Sequence, residues 1–308
     1  MGETLKLPLI DLSSSDGIST SKLIRQVCVE SGFFYLINHG VEDELIKRVF
    51  DESKKFFSLS VEEKMKLERK GLTGYTPMYS ETLDPTLKTG DLKESIYIGP
   101  LNGVDHVQNQ WPSEVLPSWR PTMESYYEKL ISTVKRLITL IALALNLDEN
   151  FFEDIGALHN PMGFVRLLHY PGEQIASNKE IYGASAHSDY GMVTLLVTDG
   201  VRGLQICKEK DKQPRIWEDV PHVDKAFIVN IGDMMERWTN CLFRSTLHRV
   251  TLTTEERYSV AFFFEPNDDC MVECLKSCCS EKSPPRFPPI RSGDYLRTRF
   301  NLSYASEL

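Results

Sequence analysis

The sequence predicts an α+β fold with a mainly β core, namely a double-stranded β-helix (jelly roll) with a helical N-terminal region and surrounding helices. The first observation behind this prediction is that apolar residues before about residue 160 mostly recur at helical spacing. The second is that the chain after Phe164 changes to short β-rich runs separated by turns, which are typical of a sandwich or jelly roll. These runs cover residues 165–170, 191–197, 203–207, 226–231, 248–252 and 258–264.

The N-terminal part of the chain combines short strands with helices. Residues 7–12 form an apolar run typical of a buried strand, and residues 33–37 form a second run rich in aromatic and β-branched side chains. Helical spacing of apolar residues covers 20–31, 42–59 and 61–68. This helical part is expected to wrap or abut the C-terminal barrel.

The middle of the chain contains a loop-rich segment followed by a long helix. Gly and Pro residues interrupt 71–107, as is typical of a lid or a binding wall. Residues 119–145 return to helical spacing, and we interpret their apolar stripe as core packing. Nothing linker-like divides the chain, so we predict one compact unit. Its regions are 1–110 (N-terminal region), 111–160 (long supporting helix) and 161–308 (jelly roll with a C-terminal tail).

Composition and charge exclude several classes of protein. The 308 residues are 41% hydrophobic, which is enough for a sizeable core, and the formal net charge is −9. Because the chain has no basic surplus and no run rich in Lys and Arg, nucleic acid is not expected as a partner. No stretch approaches the ~20 apolar residues of a membrane span, and the N-terminus has no apolar core of signal-peptide length. We therefore expect a cytoplasmic protein that binds no membrane. A monomer is a separate expectation.

The seven cysteines do not predict a disulfide framework, because their number is odd and the chain is long. Reduced thiols are expected instead. Cys274, Cys278 and Cys279 crowd together without histidines at zinc spacing, so we interpret this cluster as incidental or redox-sensitive rather than as a metal site.

His187, Asp189 and the distant His248 predict a metal site. His187 and Asp189 lie two residues apart, so in an extended segment both side chains leave the same face and can bind one ion. An H-x-D tripeptide alone is weak, since it often arises by chance in a solvated turn. Here the apolar runs 191–196 and 203–206 follow it, which would place the ligands at the mouth of a barrel. Two imidazoles and one carboxylate form a facial triad for Fe(II) that leaves positions open for oxygen and an organic acid, which indicates an oxygenase.

Arg257 and Ser259 predict a site for an acid. Strand alternation places both side chains on one face. A guanidinium beside a hydroxyl suits a carboxylate, because Arg stays charged and its planar group can donate to both carboxylate oxygens. For an isolated R-x-S pair, a surface salt bridge is the better explanation. This pair borders the apolar run 260–264, where an unpaired Arg would be costly, so a buried acid partner is favoured.

Several motifs spread over nearly the whole chain form a specific combination. They are 7–11 (LPLID), 32–41 (GFFYLINHGV), the H-x-D block, 230–234 (NIGDM), 248–250 (HRV) and 257–259 (RYS). With these motifs the chain resembles the plant-type 2-oxoglutarate- and Fe(II)-dependent dioxygenases, the superfamily that includes flavonoid and gibberellin oxidases and isopenicillin N synthase.

The resemblance implies that His187, Asp189 and His248 bind the iron, and that Arg257 and Ser259 anchor the distal carboxylate of 2-oxoglutarate. It implies an enzyme that uses Fe(II), 2-oxoglutarate and O2 to hydroxylate or desaturate a small-molecule metabolite, with release of succinate and CO2. Ascorbate is a candidate external reductant. Two alternatives remain open. One is an iron oxidase that resembles isopenicillin N synthase or fragments 2-oxoglutarate, and the other is a non-catalytic sensor, which would require a lost ligand or anchor.

By the same resemblance, Tyr170 matches a tyrosine that hydrogen-bonds 2-oxoglutarate. Many plant members carry an asparagine two positions earlier, where this chain has Leu168, so co-substrate binding is expected to differ in detail. The resemblance also implies a substrate pocket lined by the segment from Tyr75 to Glu94, by the strand around Arg166 and Leu168, and by Phe262 and Phe264.

Arg166 carries a further hypothesis. It lies two residues from Leu168, on the same strand face, and could bind an acidic group of the substrate. A structural ion pair is the alternative, and the sequence does not decide between the two.

Overall fold

The structure is a computed structural model that describes residues 5–84, 86–101, 108–172 and 181–303. The helices within these ranges are α1 (Gly17–Glu30), α2 (Asp43–Phe57), α3 (Val61–Met65), α4 (Trp119–Ala144), α5 (Phe151–Asp154), α6 (Asp233–Trp238) and α7 (Ser292–Ser303). The strands are β1 (Leu9–Asp11), β2 (Phe33–Ile37), β3 (Gly74–Thr76), β4 (Glu94–Ile98), β5 (Met162–Tyr170), β6 (Ala184–His187), β7 (Val193–Thr198), β8 (Leu204–Cys207), β9 (Glu218–Asp219), β10 (Phe227–Ile231), β11 (Leu247–Val250), β12 (Arg257–Glu265), β13 (Met271–Val272) and β14 (Ile290–Arg291).

Two sheets form the β core. The larger sheet has eight strands in the order β1-β2-β10-β7-β12-β5-β4-β3, and the smaller has four in the order β6-β11-β8-β9. All neighbours are antiparallel except β1 and β2. Strands from the N-terminal part complete the larger sheet at both edges, since β1 and β2 extend it beyond β10 and β3 and β4 extend it beyond β5.

Each face of the larger sheet is covered by a different layer. One face packs against α1, α2 and α4, whose buried stripes join the sheet in the main hydrophobic core. The other face packs against the smaller sheet through a second apolar cluster that includes Phe33, Leu168, Leu204 and Ala261. This arrangement confirms the predicted jelly roll with surrounding helices, and it leaves an interior between the two sheets where a site can lie.

Among the elements that the sequence prediction lacks, β4 and α7 are important because they line the site. The segment 71–107 is not only loop, because it contains β3 and the fully buried β4, which pairs with β5 along its whole length. Residues 85 and 102–107 of that segment lie outside the described ranges. The polar residues Glu94 and Ser95 interrupt the apolar pattern of β4, which explains why the strand was missed. The second of these elements is α7, which has a weak apolar face and was not predicted.

No helix in the part of the chain that the structure describes combines the length and apolar character needed to cross a bilayer.

Candidate active site with a metal-binding triad

His187, Asp189 and His248 meet at one end of the space between the two sheets. His187 ends β6 and is the cross-strand partner of His248 in β11, so antiparallel pairing alone brings the two imidazoles together. Asp189 follows two residues after His187. Its Oδ1 lies 3.7 Å from His187 Nε2 and 3.5 Å from His248 Nε2. One donor atom from each side chain lies within 4.8 Å of the others, which is close enough for a single ion.

Backbone carbonyls orient the two imidazoles. His187 Nδ1 lies 2.7 Å from the carbonyl oxygen of Ser185, and His248 Nδ1 lies 3.1 Å from that of Thr246. Because a carbonyl can only accept, each Nδ1 carries a proton, and in the neutral form of each ring Nε2 keeps its lone pair. Both lone pairs therefore belong to the nitrogens that face Asp189, as in protein metal sites.

Two side chains fix the carboxylate of Asp189. Thr194 Oγ1 donates to Asp189 Oδ2 at 2.6 Å, and Asn230 Nδ2 donates to the same oxygen at 2.7 Å. These bonds occupy Oδ2 and leave Oδ1, the oxygen near both imidazoles, for a metal. Neither Thr194 nor Asn230 was assigned to the site from the sequence, although Asn230 belongs to the NIGDM motif.

The electrostatics of the triad suit a cation. Burial, and then the neighbouring His248, lower the pKa of His187 to about 3, so this imidazole is neutral at physiological pH. Burial alone would raise the pKa of Asp189, but the two histidines and Thr194 hold it well below its usual range. Burial likewise opposes the charged form of His248, whereas Asp189 outweighs burial and raises its pKa. Two nitrogens and one carboxylate oxygen are a donor set that fits Fe(II).

Arg257 lies deeper in the same cavity as the triad. It is 1% exposed, its Nε donates to the carbonyl oxygen of Val201 at 3.2 Å, and its Nη1 donates to Ser259 Oγ at 3.3 Å. The Tyr170 ring stacks on the guanidinium at 4.9 Å. No carboxylate pairs with Arg257 among the described residues, so this cation is buried without a counter-ion. Leu168, the cross-strand partner of Ser259, also lines this cavity.

A second cavity opens on the other side of the triad. It shares His187, Asp189 and Arg166 with the first cavity. Its other walls are mostly aromatic and come from β4, β5, β12 and α7, and they include Tyr97, Phe164, Phe263, Leu296 and Phe300.

Arg166 lies in the wall between the two cavities and is bonded to protein acids. Its Nη2 donates to Glu81 Oε2 at 2.6 Å, and Lys93 Nζ lies 2.8 Å from the same oxygen and 2.6 Å from Asp91 Oδ2. All four side chains are at most 4% exposed. Burial would raise the pKa of Glu81, but Arg166 and Lys93 hold it well below its usual range. These four residues, the buried ion quartet, have equal numbers of positive and negative charges.

The structure places three predicted substrate residues away from both cavities. Tyr75 is 1% exposed in the main core and its hydroxyl donates to Glu94. Phe262 and Phe264 also lie in that core, where Phe262 packs edge-to-face on Tyr127 at 5.8 Å. Their assignment to the pocket was wrong because strand alternation puts them on the opposite face of β12 from Arg257 and Ser259.

The residue between them, Phe263, lines the cavities instead. Alternation from Arg257 would have found it, and also Glu265. Burial, and then the carboxylates of Asp189 and Asp233, raise the pKa of Glu265 to about 8.

Comparison with family models matches two segments of the chain. Residues 7–114 match the non-haem dioxygenase in morphine synthesis N-terminal model, and residues 162–266 match the 2OG-Fe(II) oxygenase superfamily model. The second segment contains the triad as well as Arg257 and Ser259.

Similar proteins cover almost the whole chain. Azadirone synthase from Melia azedarach is 40% identical over 97% of this chain and 93% of its own, and kihadalactone A synthase from Citrus sinensis is 41% identical over 96% and 91%. Among solved structures, a full-length Neurospora crassa protein in complex with alpha-KG and thymine superposes with a TM-score of 0.85 at 28% identity, over 99% of this chain and 98% of that one. The chain therefore belongs to the 2-oxoglutarate- and Fe(II)-dependent oxygenase superfamily.

Proposed function

We propose that this enzyme hydroxylates or desaturates an apolar, ring-containing small molecule, with iron held by His187, Asp189 and His248 and 2-oxoglutarate held by Arg257 and Ser259. The observation that carries these roles is that Arg257 is buried in the same cavity as the triad and has no anionic partner in the described part of the chain. A buried guanidinium needs a charged partner, and a dicarboxylic acid that reaches from Arg257 to the iron supplies one.

Members of the superfamily use Fe(II), 2-oxoglutarate and O2. When bound, the iron supplies the oxygen chemistry that converts 2-oxoglutarate to succinate and CO2 and oxidises the substrate. One oxygen atom of O2 enters succinate, and the other enters the substrate as hydroxyl or leaves as water when a double bond forms.

Residues of this chain orient the co-substrate and exclude water. The guanidinium of Arg257 and the hydroxyl of Ser259 would bind the distal carboxylate, and Tyr170 keeps the guanidinium flat against its ring. Leu204 and Val250 provide an apolar wall for the methylene carbons. The neutral imidazole of His187 is ready to bind a metal without first losing a proton.

The walls of the second cavity support a ring-shaped substrate. The rings of Tyr97, Phe164 and Phe263 offer flat apolar surfaces beside the triad. The structurally similar Neurospora crassa protein has been solved with thymine, a planar ring. The bonds from Arg166 to Glu81 support the structural ion pair over the acidic-substrate hypothesis. The cytoplasmic location, the monomeric state, the use of ascorbate and the three region boundaries stay predictions.

The test is anaerobic incubation of the enzyme with Fe(II), 2-oxoglutarate and a metabolite library, followed by oxygen and mass spectrometry. We expect one compound to gain an oxygen atom or lose two hydrogens in step with succinate release. His187→Ala and Asp189→Ala should reduce this turnover below about 1% of wild type, because removing a ligand should exceed the 10–100-fold loss typical of removing a residue that only orients a ligand.

The matched control is His159→Ala, which removes an exposed histidine far from the triad and should leave turnover unchanged. Circular dichroism checks that all variants remain folded. Succinate release that continues in His187→Ala at the wild-type rate would contradict the proposal.

A further inference from the structure

Glu265 is a buried acid that faces the second cavity. It is the last residue of β12, it is 3% exposed, and it lines the cavity together with Phe263 and Phe300. Within the part of the chain that the structure describes, its carboxyl group makes no hydrogen bond and no ion pair. Leaving a buried carboxyl unpartnered is costly, so the position calls for a ligand group.

The other acids near this cavity all have protein partners. Glu81 is bonded to Arg166 and Lys93, and Asp233 accepts from Ser245 Oγ and Tyr295 Oη, both at 2.6 Å. The carboxylate of Asp189 is held by the hydrogen bonds already described. Glu265 is the exception among them, which argues against a purely structural role.

Glu265 is not part of the metal-binding group. That group consists of His187, Asp189 and His248 within the described residues. The carboxyl of Glu265 instead lies against the backbone at Gly191, where a Cβ atom would come within 2.7 Å of Oε1. The absence of a side chain at residue 191 thus makes room for the acid beside the aromatic walls.

Among the described residues, no cation pairs with Glu265. The buried ion quartet cancels internally, and Arg257 at the far end of the same strand face is assigned to the co-substrate. Aromatic faces such as those of Phe164 and Phe263 also favour a cation or a polar hydrogen over an anion.

Resting on the proposed function, we propose that Glu265 is a substrate-binding residue that accepts a hydrogen bond from an ammonium, N–H or O–H group on a ring-containing substrate. The enzyme is therefore expected to bind neutral or basic substrates that have an apolar ring and a hydrogen-bond donor. A carboxylate in the same position would add a negative charge near Asp189 and Asp233, whose carboxylates, after burial itself, already raise the pKa of Glu265.

The test measures binding of three probes of similar shape to the full chain, loaded anaerobically with Fe(II) and 2-oxoglutarate. The probes are 2-phenylethylamine, 2-phenylethanol and 3-phenylpropanoate, and isothermal titration calorimetry gives their dissociation constants. In the wild type we expect the amine to bind at least about tenfold more tightly than the acid, with the alcohol between them.

Glu265→Gln has nearly the same shape as the wild type but no acidic group. We expect it to weaken amine binding about tenfold and to leave acid binding and the melting temperature unchanged. Glu255→Gln is the matched control, because Glu255 is exposed in the turn before β12 and should have no effect. Glu265→Asp should retain the preference for the amine over the acid.

Two outcomes would overturn the inference while leaving the proposed function intact. One is equal amine affinity in the wild type and Glu265→Gln, and the other is acid binding as tight as amine binding, or no amine binding, in a wild type that still binds 2-oxoglutarate. Failure of the wild type to bind 2-oxoglutarate in the same titrations would instead count against the proposed function and, with it, this inference.

Discussion

Two arginines face the cavities from neighbouring strands, and they differ in what neutralises them. Arg257 in β12 is 1% exposed and has a hydroxyl and a carbonyl as polar partners, with no acid among the described residues. Arg166 in β5 is 4% exposed and is bonded to Glu81 within the buried ion quartet. From sequence alone, both are basic residues on buried strands. Among the described residues, the protein supplies an anion for Arg166 and none for Arg257.

This difference distinguishes an arginine that binds a ligand from an arginine that stabilises the structure. A buried charge without a partner is costly unless a ligand completes it, whereas a buried pair with good geometry needs nothing further. We therefore treat Arg257 as a ligand-binding residue and Arg166 as a residue that holds the wall between the two cavities. Substituting each arginine tests this contrast.

The largest expected effect is that of Arg257→Ala on 2-oxoglutarate. Removing one partner of a buried charge pair costs about 3–5 kcal/mol, which corresponds to a rise in the KM for 2-oxoglutarate of roughly 10²- to 4 × 10³-fold. Iron binding should not change, because Arg257 does not touch the triad. Steady-state succinate release against 2-oxoglutarate concentration measures the effect.

Arg120→Ala serves as the control, because Arg120 forms an exposed pair with Glu124 on α4. That variant should keep the wild-type KM. A normal KM in Arg257→Ala would show that another group binds the acid.

Two pairs of the residues proposed to bind metal and co-substrate can be found from local spacing. His187 and Asp189 are separated by one residue, as are Arg257 and Ser259, and in extended chain that separation puts both side chains on one face. The same rule, applied to the rest of β12, predicts Phe263 on the cavity face. By the same alternation, Phe262 and Phe264 lie on the other face of β12, in the main core.

Other parts of the site depend on contacts between distant segments. Glu81 meets Arg166 across 85 residues, and Asn230 meets Asp189 across 41. No spacing rule connects such pairs, and a single sequence gives no sign that they meet. Tyr75 was misplaced for a similar reason, since only the pairing of β3 with β4 shows that it faces the helices.

The next largest effect is expected for Arg166→Leu, which tests the structural role of Arg166. Arg166→Leu should lower the free energy of unfolding by about 3 kcal/mol, at the low end for a broken buried pair because Lys93 remains beside Glu81. Urea denaturation measures it. Combining Arg166→Leu with Glu81→Leu removes both charges and should recover much of the loss, as a double-mutant cycle would show. Additive losses in the double variant would show that the two residues are not coupled.

The same ion pair predicts a dependence of stability on pH. The pKa of Glu81 is held below its unfolded value, so its contribution is fully present above about pH 4.3, the ordinary value for Glu. The contribution is lost as the pH falls from there towards the folded pKa. The free energy of unfolding, measured at a series of acidic pH values, should therefore fall more steeply with decreasing pH for the wild type than for Glu81→Leu.

The smallest expected effects are those of two substitutions that distinguish the two faces of β12. Phe262→Leu should lower the free energy of unfolding by about 1.5 kcal/mol, because Phe262 is 1% exposed and packs on Tyr127 in the main core. Phe263→Leu should leave stability nearly unchanged and raise the KM of the substrate about tenfold, because its ring lines the cavity near Tyr97. Each variant is the control for the other. Urea denaturation measures the stability, and turnover at a series of substrate concentrations measures the KM. If both changed stability alike and neither changed the KM, the substrate would not lie against this face of β12, and the cavity beside the aromatic residues would have to be assigned another role.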